Sequence, residues 1–351
     1  MTARSVKTTL GDLWRSTRAR VAGSAVVLVY HRIADLSSDP QRLAVSVERF
    51  GEQIHLLSET CNVMSAGEAI ELIARQRRLP DRSVVVTIDD GYSDALLNAK
   101  PILSAHSVPA TVFVSSDYMG GHTEFWWDEL ERVVLLSDAL PSNLDIEASA
   151  ARYRRDIASD ADLGSERHPN AGLWDITMVP TSERQRVYLE LLDFVRPLSP
   201  SDRASVLDSL RDQFGVEASL RPSHRPLTVG ELRGLTDGGT VEIGAHTRSH
   251  QLLAQRTPNE QRDEIVGGKT ELEQACGSLV RLFSYPYGDD GSYSEVSKRL
   301  VREAGFLGAF TTRFGLAFPW VDRFAVPRCP TDDISGGEFK QRLDHWFRMA
   351  R

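Results

Sequence analysis

The sequence contains few cysteines and no long apolar run. Among its 351 residues are only three cysteines, Cys61, Cys276 and Cys329, which are widely spaced and include no C-x-x-C pair. Such a set is typical of neither a disulfide framework nor a zinc ribbon, and it favours a reducing compartment. No stretch reaches the roughly 18 apolar residues that a membrane-spanning helix needs. We therefore expect a cytoplasmic protein with no membrane span.

An excess of positive charge is also missing. The net charge is −8 at pH 7 and the pI is about 5.7, whereas a nucleic-acid-binding protein generally presents a basic face. We therefore expect no nucleic-acid partner, while a neutral or cationic sugar substrate is not excluded.

A signal peptide is not expected, because the apolar run Ala25–Tyr30 is too short for its core and is typical of a strand. The residues before this run are basic, so they allow a peripheral contact with an anionic membrane surface. A solvated helix face is the simpler interpretation of the same pattern. The basic residues are Arg4, Lys7, Arg15, Arg18 and Arg20.

Short β-branched runs recur along the chain, each bounded by turn or helix signals. Continuous apolar runs of this length are typical of strands buried on both faces, as in a parallel sheet or barrel. Helical patterns lie between the runs, and this alternation predicts an α/β barrel or an open doubly wound sheet. The clearest runs are Ala25–Tyr30, Ser83–Ile88, Ala110–Val114, Thr240–Ile243, Leu279–Phe283 and Leu307–Phe310.

One of these helical patterns has a well-marked beginning. Residues Thr257–Glu260 have the pattern of a capping box, with Pro258 at the first helical position. The helix that follows is predicted to bury an apolar face made of Ile265, Leu272, Cys276 and Leu279.

The segment from about Gly121 to Pro226 interrupts the alternation. It holds helical patterns but no convincing buried strand, and its middle part, Pro141–Pro180, is polar and loop-like. The strand pattern resumes afterwards without a linker. We therefore predict a single domain over residues 1–351, with a helical insertion at residues 121–226.

Reactive side chains follow four of the apolar runs. In an α/β barrel the carboxyl ends of the strands open on one face, where such folds hold their active sites. We therefore expect these side chains to converge. They are His31 after VVLVY, Asp89 and Asp90 after VVVTI, His246 after VEIGA, and Pro286 and Tyr287 after LFSY.

The spacing of two of these histidines favours a metal site. His246 and His250 are four residues apart, which predicts both rings on one side of a helical turn; a capping or surface role is the alternative for His250. With a carboxylate from another strand end they complete a site with open positions for a divalent metal. Asp89 and Asp90 before Gly91 are a turn signal, but they also allow one carboxylate to bind the metal while the other deprotonates the attacking water.

Three segments in this order resemble the motifs of the polysaccharide deacetylases, the NodB-like carbohydrate esterase family 4. They are TIDDG (Thr87–Gly91), HTRSH (His246–His250) and SYPYG (Ser284–Gly288). The resemblance covers Val26 to about Val114 and Leu227 to about Arg328, and it leaves the insertion unmatched. It implies a distorted (β/α)7 barrel and a metal-dependent hydrolase that removes an N-acetyl group from an amino sugar or glycan, in surface polysaccharide metabolism.

The resemblance also implies a role for each matching residue. Asp89 is the general base, and Asp90, His246 and His250 hold a divalent metal, with zinc the expected ion. Tyr287 donates its backbone N–H to the oxyanion beside the metal.

The sequence departs from the family pattern at two places. Ser284 stands where the third motif usually begins with an arginine that orients the base, and Arg328 is a candidate replacement that we also assign to the substrate-binding residues. A surface or structural role for Arg328 is the alternative.

The late histidine motif that supplies the general acid is absent, but the segment from Tyr30 to Ile33 resembles the N-terminal motif of bacterial exopolysaccharide deacetylases with permuted motif order. We therefore expect His31 to be the acid, the alternative being a histidine that fixes the barrel mouth.

Trp126 and Pro286 are also predicted to contact the substrate. Trp126 opens the insertion, and its ring could stack on a sugar; anchoring the insertion on the barrel is the alternative.

A cytoplasmic location favours a nucleotide- or lipid-linked N-acetylated sugar. Two other functions stay open on the sequence, namely a deformylase or cyclic-amide hydrolase of the same fold and a catalytically inactive glycan-binding module.

Overall fold

The computed structural model describes residues 22–149, 151–157 and 173–349. The basic N-terminal residues before position 22 lie outside this range, so the peripheral membrane contact stays a prediction. In chain order the strands are β1 (Ala25–Tyr30), β2 (Arg32–Ile33), β3 (Ala44–Val45), β4 (Asn62–Val63), β5 (Ser83–Ile88), β6 (Ala110–Val114), β7 (Asn143–Ala148), β8 (Ala151–Asp156), β9 (Val241–Ala245), β10 (Leu282–Ser284), β11 (Gly308–Phe314) and β12 (Val326–Pro330).

Helices connect and surround these strands. Within the described ranges no helix combines the length and the apolar character that crossing a membrane requires. The α-helices are α1 (Val47–Thr60), α2 (Ala66–Ala74), α3 (Lys100–Ala105), α4 (Trp126–Leu130), α5 (Glu183–Val195), α6 (Pro200–Phe214), α7 (Val229–Thr236), α8 (Pro258–Arg262), α9 (Gly268–Cys276), α10 (Glu295–Glu303) and α11 (Gly336–Met349).

The predicted (β/α)7 barrel is confirmed. Seven parallel strands follow the order β1-β12-β11-β10-β9-β6-β5, and the pairing of β1 with β5 closes the ring. The short strand β4 pairs with the beginning of β5 outside this ring. Every residue of β1 and β5 is buried, as expected for strands with side chains inside the barrel and helices outside it.

The register between β1 and β5 brings two predicted catalytic residues together. The two strands pair in parallel from Ala25 with Ser83 to Tyr30 with Ile88. The next residue on each strand is therefore His31 and Asp89, and the N–H of Asp89 donates to the carbonyl of Tyr30 at 2.9 Å. His31 and Asp89 therefore lie next to each other at the carboxyl end of the barrel.

The insertion has an apolar core of its own, and it is not purely helical. Strands β7 and β8 form an antiparallel hairpin inside the stretch predicted to be loop-like. The alternation along β7 buries Leu144, Ile146 and Ala148, while the intervening side chains are exposed. The hairpin packs with α4, α5 and α6 around a cluster separate from the barrel core. The predicted domain boundaries stay a prediction.

Candidate active site

Asp89 lies at the carboxyl end of β5 and is held by a buried arginine. Its Oδ1 and Oδ2 accept from Nη1 and Nη2 of Arg328 at 2.7 and 2.6 Å, and Oδ2 also accepts from the hydroxyl of Ser284 at 3.1 Å. Burial alone would raise the pKa of Asp89, but the charge and hydrogen bonds of Arg328 outweigh it and hold this pKa below its usual value. Asp89 is therefore ionised at neutral pH.

Arg328 is fully buried beneath the site, so its predicted contact with the substrate is wrong. Besides Asp89, its Nε donates to the carbonyl of Thr311 at 2.8 Å, Nη1 to the hydroxyl of Thr87 at 3.0 Å, and Nη2 to the hydroxyl of Ser284 at 2.9 Å. These bonds occupy all of its N–H donors. Arg328 thus orients the carboxylate of Asp89 from β12, and the hydroxyl of Ser284 contacts both side chains.

Three ligand-type side chains meet next to Asp89. Oδ1 of Asp90 lies 3.5 Å from Nε2 of His246 and 3.4 Å from Nε2 of His250, and all three residues are buried. Two ligand atoms that are each about 2.1 Å from a tetrahedral zinc ion are about 3.4 Å apart. Both histidine nitrogens therefore already lie at this spacing from the Asp90 oxygen.

The protonation of the two histidines also fits a metal. Nδ1 of His246 is 2.8 Å from the carbonyl of Ser284, which can only accept, so this nitrogen carries the proton and Nε2 presents a lone pair. Burial lowers the pKa of His250 to about 4, so its ring is neutral at neutral pH. Burial would raise the pKa of Asp90, but the two imidazoles beside it hold this pKa below its usual value. Nε2 of His246 therefore presents its lone pair toward the Asp90 carboxylate, as it would beside a bound cation.

The loop that carries the histidines is not the helical turn that the spacing predicted. Thr247 and His250 have φ angles of 64° and 53°, in the left-handed region, and the hydroxyl of Thr247 accepts from the N–H of His250 at 3.1 Å. The carboxylate of Glu264 accepts from the N–H groups of Arg248 and Ser249, each at 3.0 Å. The rings converge because these bonds hold a strained loop, and such strain is typical of functional sites.

Asp90 and Tyr287 share this backbone conformation. Their φ angles are 73° and 62°, so four of the eight non-glycine residues with positive φ in the described ranges belong to the site. The ring of Tyr287 packs edge-on against His250, with ring centroids 4.7 Å apart. Across residues 22–149, 151–157 and 173–349, no backbone carbonyl accepts from the N–H of Tyr287.

His31 is half-buried at the end of β1. The charge of a protonated His31 lowers the pKa of both Asp89 and Asp90, so the imidazole lies within electrostatic reach of the two carboxyl groups. Its predicted place at the mouth of the site therefore agrees with the structure, while its catalytic role stays a prediction.

The predicted substrate wall at Trp126 is not observed. The Trp126 side chain is only 4% exposed and packs in the core of the insertion, so it anchors the insertion. The neighbouring Trp127 contacts the loop of residues 246–250, which carries two of the predicted metal ligands and is called the metal loop below. Its ring centroid is 4.8 Å from that of His250. Pro286 is buried after β10, and its contact with the substrate stays a prediction.

The structure adds residues that the sequence pattern did not indicate. Arg203, on α6, is buried and donates from Nη1 to the carbonyl of His250 at 3.1 Å and to that of Ser249 at 3.4 Å. Glu264 and Arg203 both hold the metal loop from outside the motifs. Neither has a sequence signal, because a single charged residue within a helix is typical of a solvated face.

Comparison with known proteins connects this geometry to a family. Residues 76–135 and 223–309 match the family model described as polysaccharide deacetylase. The Bacillus subtilis (strain 168) protein named "Putative polysaccharide deacetylase YxkH" is 26% identical over 95 residues, which are 27% of this chain and 33% of that protein. The match thus spans about a third of the length of this curated relative.

Solved structures share the fold over most of the chain. The Streptococcus pyogenes deacetylase PplD, solved in complex with acetate, has a TM-score of 0.57 at 15% identity, covering 92% of this chain and 99% of its own. IcaB from Ammonifex degensii has a TM-score of 0.54 at 18% identity, covering 93% of this chain and 97% of its own. At these identities the likeness establishes the fold.

Proposed function

Because this chain belongs to the polysaccharide deacetylase family, we propose that it is a metal-dependent hydrolase that removes the N-acetyl group from an amino sugar or glycan. The proposal depends mainly on one observation. A buried triad of Asp90, His246 and His250 lies beside a second carboxylate, Asp89, which is kept ionised by its own arginine. One carboxylate for the metal and one for proton transfer is an arrangement that suits metal-assisted hydrolysis of an amide by water.

Asp90, His246 and His250 would hold the metal, and their mixed nitrogen and oxygen donors favour zinc. When bound, the ion would supply a Lewis acid for the acetamide carbonyl and would lower the pKa of a water molecule at the site. The tautomer of His246, fixed by the carbonyl of Ser284, leaves the correct nitrogen for this role.

The protein's own residues would then carry the protons and the developing charge. Asp89 accepts a proton from the attacking water while the water oxygen bonds to the acetyl carbon. The N–H of Tyr287 donates to the carbonyl oxygen as that oxygen becomes negative. His31 protonates the nitrogen as the C–N bond breaks, so that acetate and a free amino sugar leave.

We further propose that the substrate belongs to surface polysaccharide synthesis and that the chain is of the exopolysaccharide type, as the Tyr30–Ile33 segment indicates. An N-acetylated sugar linked to a nucleotide or lipid would suit a cytoplasmic location. Formylated and cyclic amides are the competing substrates, because they require the same metal-assisted attack by water.

Asp89→Asn and His246→Ala test the proposal. We expect each change to lower acetate release from N-acetylglucosamine oligomers by about 1,000-fold or more, since each removes an essential part of the site. The far-ultraviolet circular dichroism spectrum should be unchanged. His345→Ala is the matched control, because this histidine is exposed on the terminal helix α11, and it should keep the wild-type rate.

Either variant retaining the wild-type rate would contradict the assignment of the site. A parallel assay with N-formyl and ring-amide substrates separates the competing reactions. Turnover of only those substrates by the wild-type protein, with no acetate release, would replace deacetylation by deformylation or ring opening.

A further inference from the structure

A second cluster of ligand-type side chains lies in the insertion, apart from the metal triad. Asp128, on α4, and Glu131, in the turns that continue α4, are three residues apart on one face, and His224 comes from the short helical turn Pro222–His224. One ligand atom from each residue lies within 4.8 Å of the others. The three residues are 7%, 2% and 6% exposed.

Two polar atoms that line this cluster form no hydrogen bond of good geometry. In the described part of the chain they are Oε1 of Glu131 and the hydroxyl of Tyr188, although the side chains of Ser38 and Gln41 lie nearby. Both residues line the same small cavity as Asp128 and His224, and this cavity has room for about one water-sized atom or ion. Tyr188 is completely buried and is not an acidic residue, so it indicates a missing ligand independently of the carboxylates.

Carboxyl groups outnumber arginines around the cavity. Two arginines pair with the carboxylates: Arg32 lies 3.0 Å from Asp94, and Arg221 lies 2.8 Å from Glu124 and 2.9 Å from Glu131. With Asp128 there are four buried carboxyl groups against two guanidinium groups, and burial raises the pKa of Asp128 to about 8, so this group is uncharged at neutral pH when no cation is bound. A divalent cation would replace that proton and would stabilise the ionised carboxylate.

We propose that Asp128, Glu131 and His224 form a second divalent-metal site, with the hydroxyl of Tyr188 facing the ion. Burial, aided by the charge of Arg221, lowers the pKa of His224 to about 3, so its imidazole is neutral and able to bind a metal. Two carboxylates with one imidazole and no thiolate suit zinc or manganese.

The site joins the insertion to the barrel and supports the metal loop. Asp128 accepts from the hydroxyl of Tyr92 at 2.6 Å, and that hydroxyl accepts from Nε1 of Trp127 at 2.8 Å. Trp127 packs against His250. An ion at the second site would therefore fix α4 and the turn at His224, and through Trp127 the ring of a ligand in the first site.

Metal stoichiometry tests this proposal independently of any deacetylase activity. Chelator-treated full-length protein would be titrated with Zn²⁺ and, separately, with Mn²⁺, and the bound metal would be counted by elemental analysis after desalting. We expect two equivalents for the wild type and one for Glu131→Gln, His224→Gln and His246→Ala. Glu129→Gln is the matched control: its carboxylate lies on the same helix but pairs with Arg132 and Arg211, so this variant should keep two equivalents.

Wild-type protein that binds a single equivalent, lost completely in His246→Ala, would overturn the proposal and leave the cavity to a water molecule. Two equivalents in a folded Glu131→Gln protein would also overturn it. If Glu131→Gln does not fold, the wild type and His246→Ala still decide the question, because the proposal requires one equivalent to remain in His246→Ala. Two equivalents without acetate release would uphold this site and reject only the proposed reaction.

Discussion

The carboxylate of Asp89 is paired with an arginine from a distant position in the chain. Ser284 occupies the position where the resemblance leads one to expect an arginine, and Arg328 reaches the same carboxylate from β12, 44 residues further on. The sequence motifs predicted Asp89, Asp90, His246 and His250, because each is fixed by its spacing from a strand end. They could not settle the role of Arg328, because its partner is decided by the closure of the barrel.

Replacing Arg328 by methionine should expose this dependence. Without the guanidinium, burial dominates and raises the pKa of Asp89, so the base is protonated at a higher pH. Since the base acts only when ionised, the acidic limb of the pH profile of kcat/KM should move to higher pH and the maximum rate should fall. Loss of one partner of a buried ion pair should also lower the free energy of unfolding by about 3–5 kcal/mol.

The measurements are the pH dependence of acetate release and urea unfolding. Arg313→Met on β11 is the control, because this arginine is exposed and its salt bridge is with exposed Asp290. An Arg328→Met enzyme with an unmoved acidic limb would show that Arg328 does not tune the base.

At the scale of elements, the site depends on how the insertion holds the metal loop. Arg203 on α6 donates to the backbone carbonyls of Ser249 and His250, and from Nη2 to the carbonyl of Arg196 at 2.7 Å. These bonds connect the loop after β9 to two helices of the insertion. The insertion therefore helps to form the site, besides covering part of the barrel.

Arg203→Met should weaken metal binding without removing any ligand. Loss of residues that orient metal ligands typically lowers metal affinity by about 10- to 100-fold, and we expect a loss in this range, measured by competition with a chromophoric chelator. Arg211→Met, on the same helix but paired with Glu129 and Asp208, should keep wild-type affinity. Unchanged affinity in Arg203→Met would mean that the loop is held well enough by Thr247 and Glu264.

The elements themselves could be predicted where one physical signal dominated. β1, β5 and β6 have the predicted bounds because apolar runs buried on both faces are unambiguous. The hairpin of β7 and β8 was missed because β8 is rich in arginine and has no apolar run. It pairs with β7, the strand just before it in the chain, and not with the barrel. Leu279 was predicted to face the core, but it is 70% exposed, because α9 ends at Gly277 in the left-handed conformation.

For the whole molecule, barrel closure is what brings distant motifs into one site. The pairing of β1 with β5 and β12 sets His31 beside Asp89 and brings Arg328 beneath it, although these residues are separated by up to 297 positions. Parallel strands all present their carboxyl ends to the same face, so the convergence of strand-end residues could be predicted from the sequence. The strained loop geometry and the supporting contacts of the insertion could not, because they depend on tertiary packing.

The most direct test of the central claim is the rate of acetate release from N-acetylglucosamine oligomers by one protein sample before chelation, after chelation and after Zn²⁺ is returned. We expect chelation to abolish the release and added zinc to restore it, since the proposed reaction needs the ion to lower the pKa of the attacking water. Full activity in protein shown by elemental analysis to be free of metal would show that the reaction needs no metal.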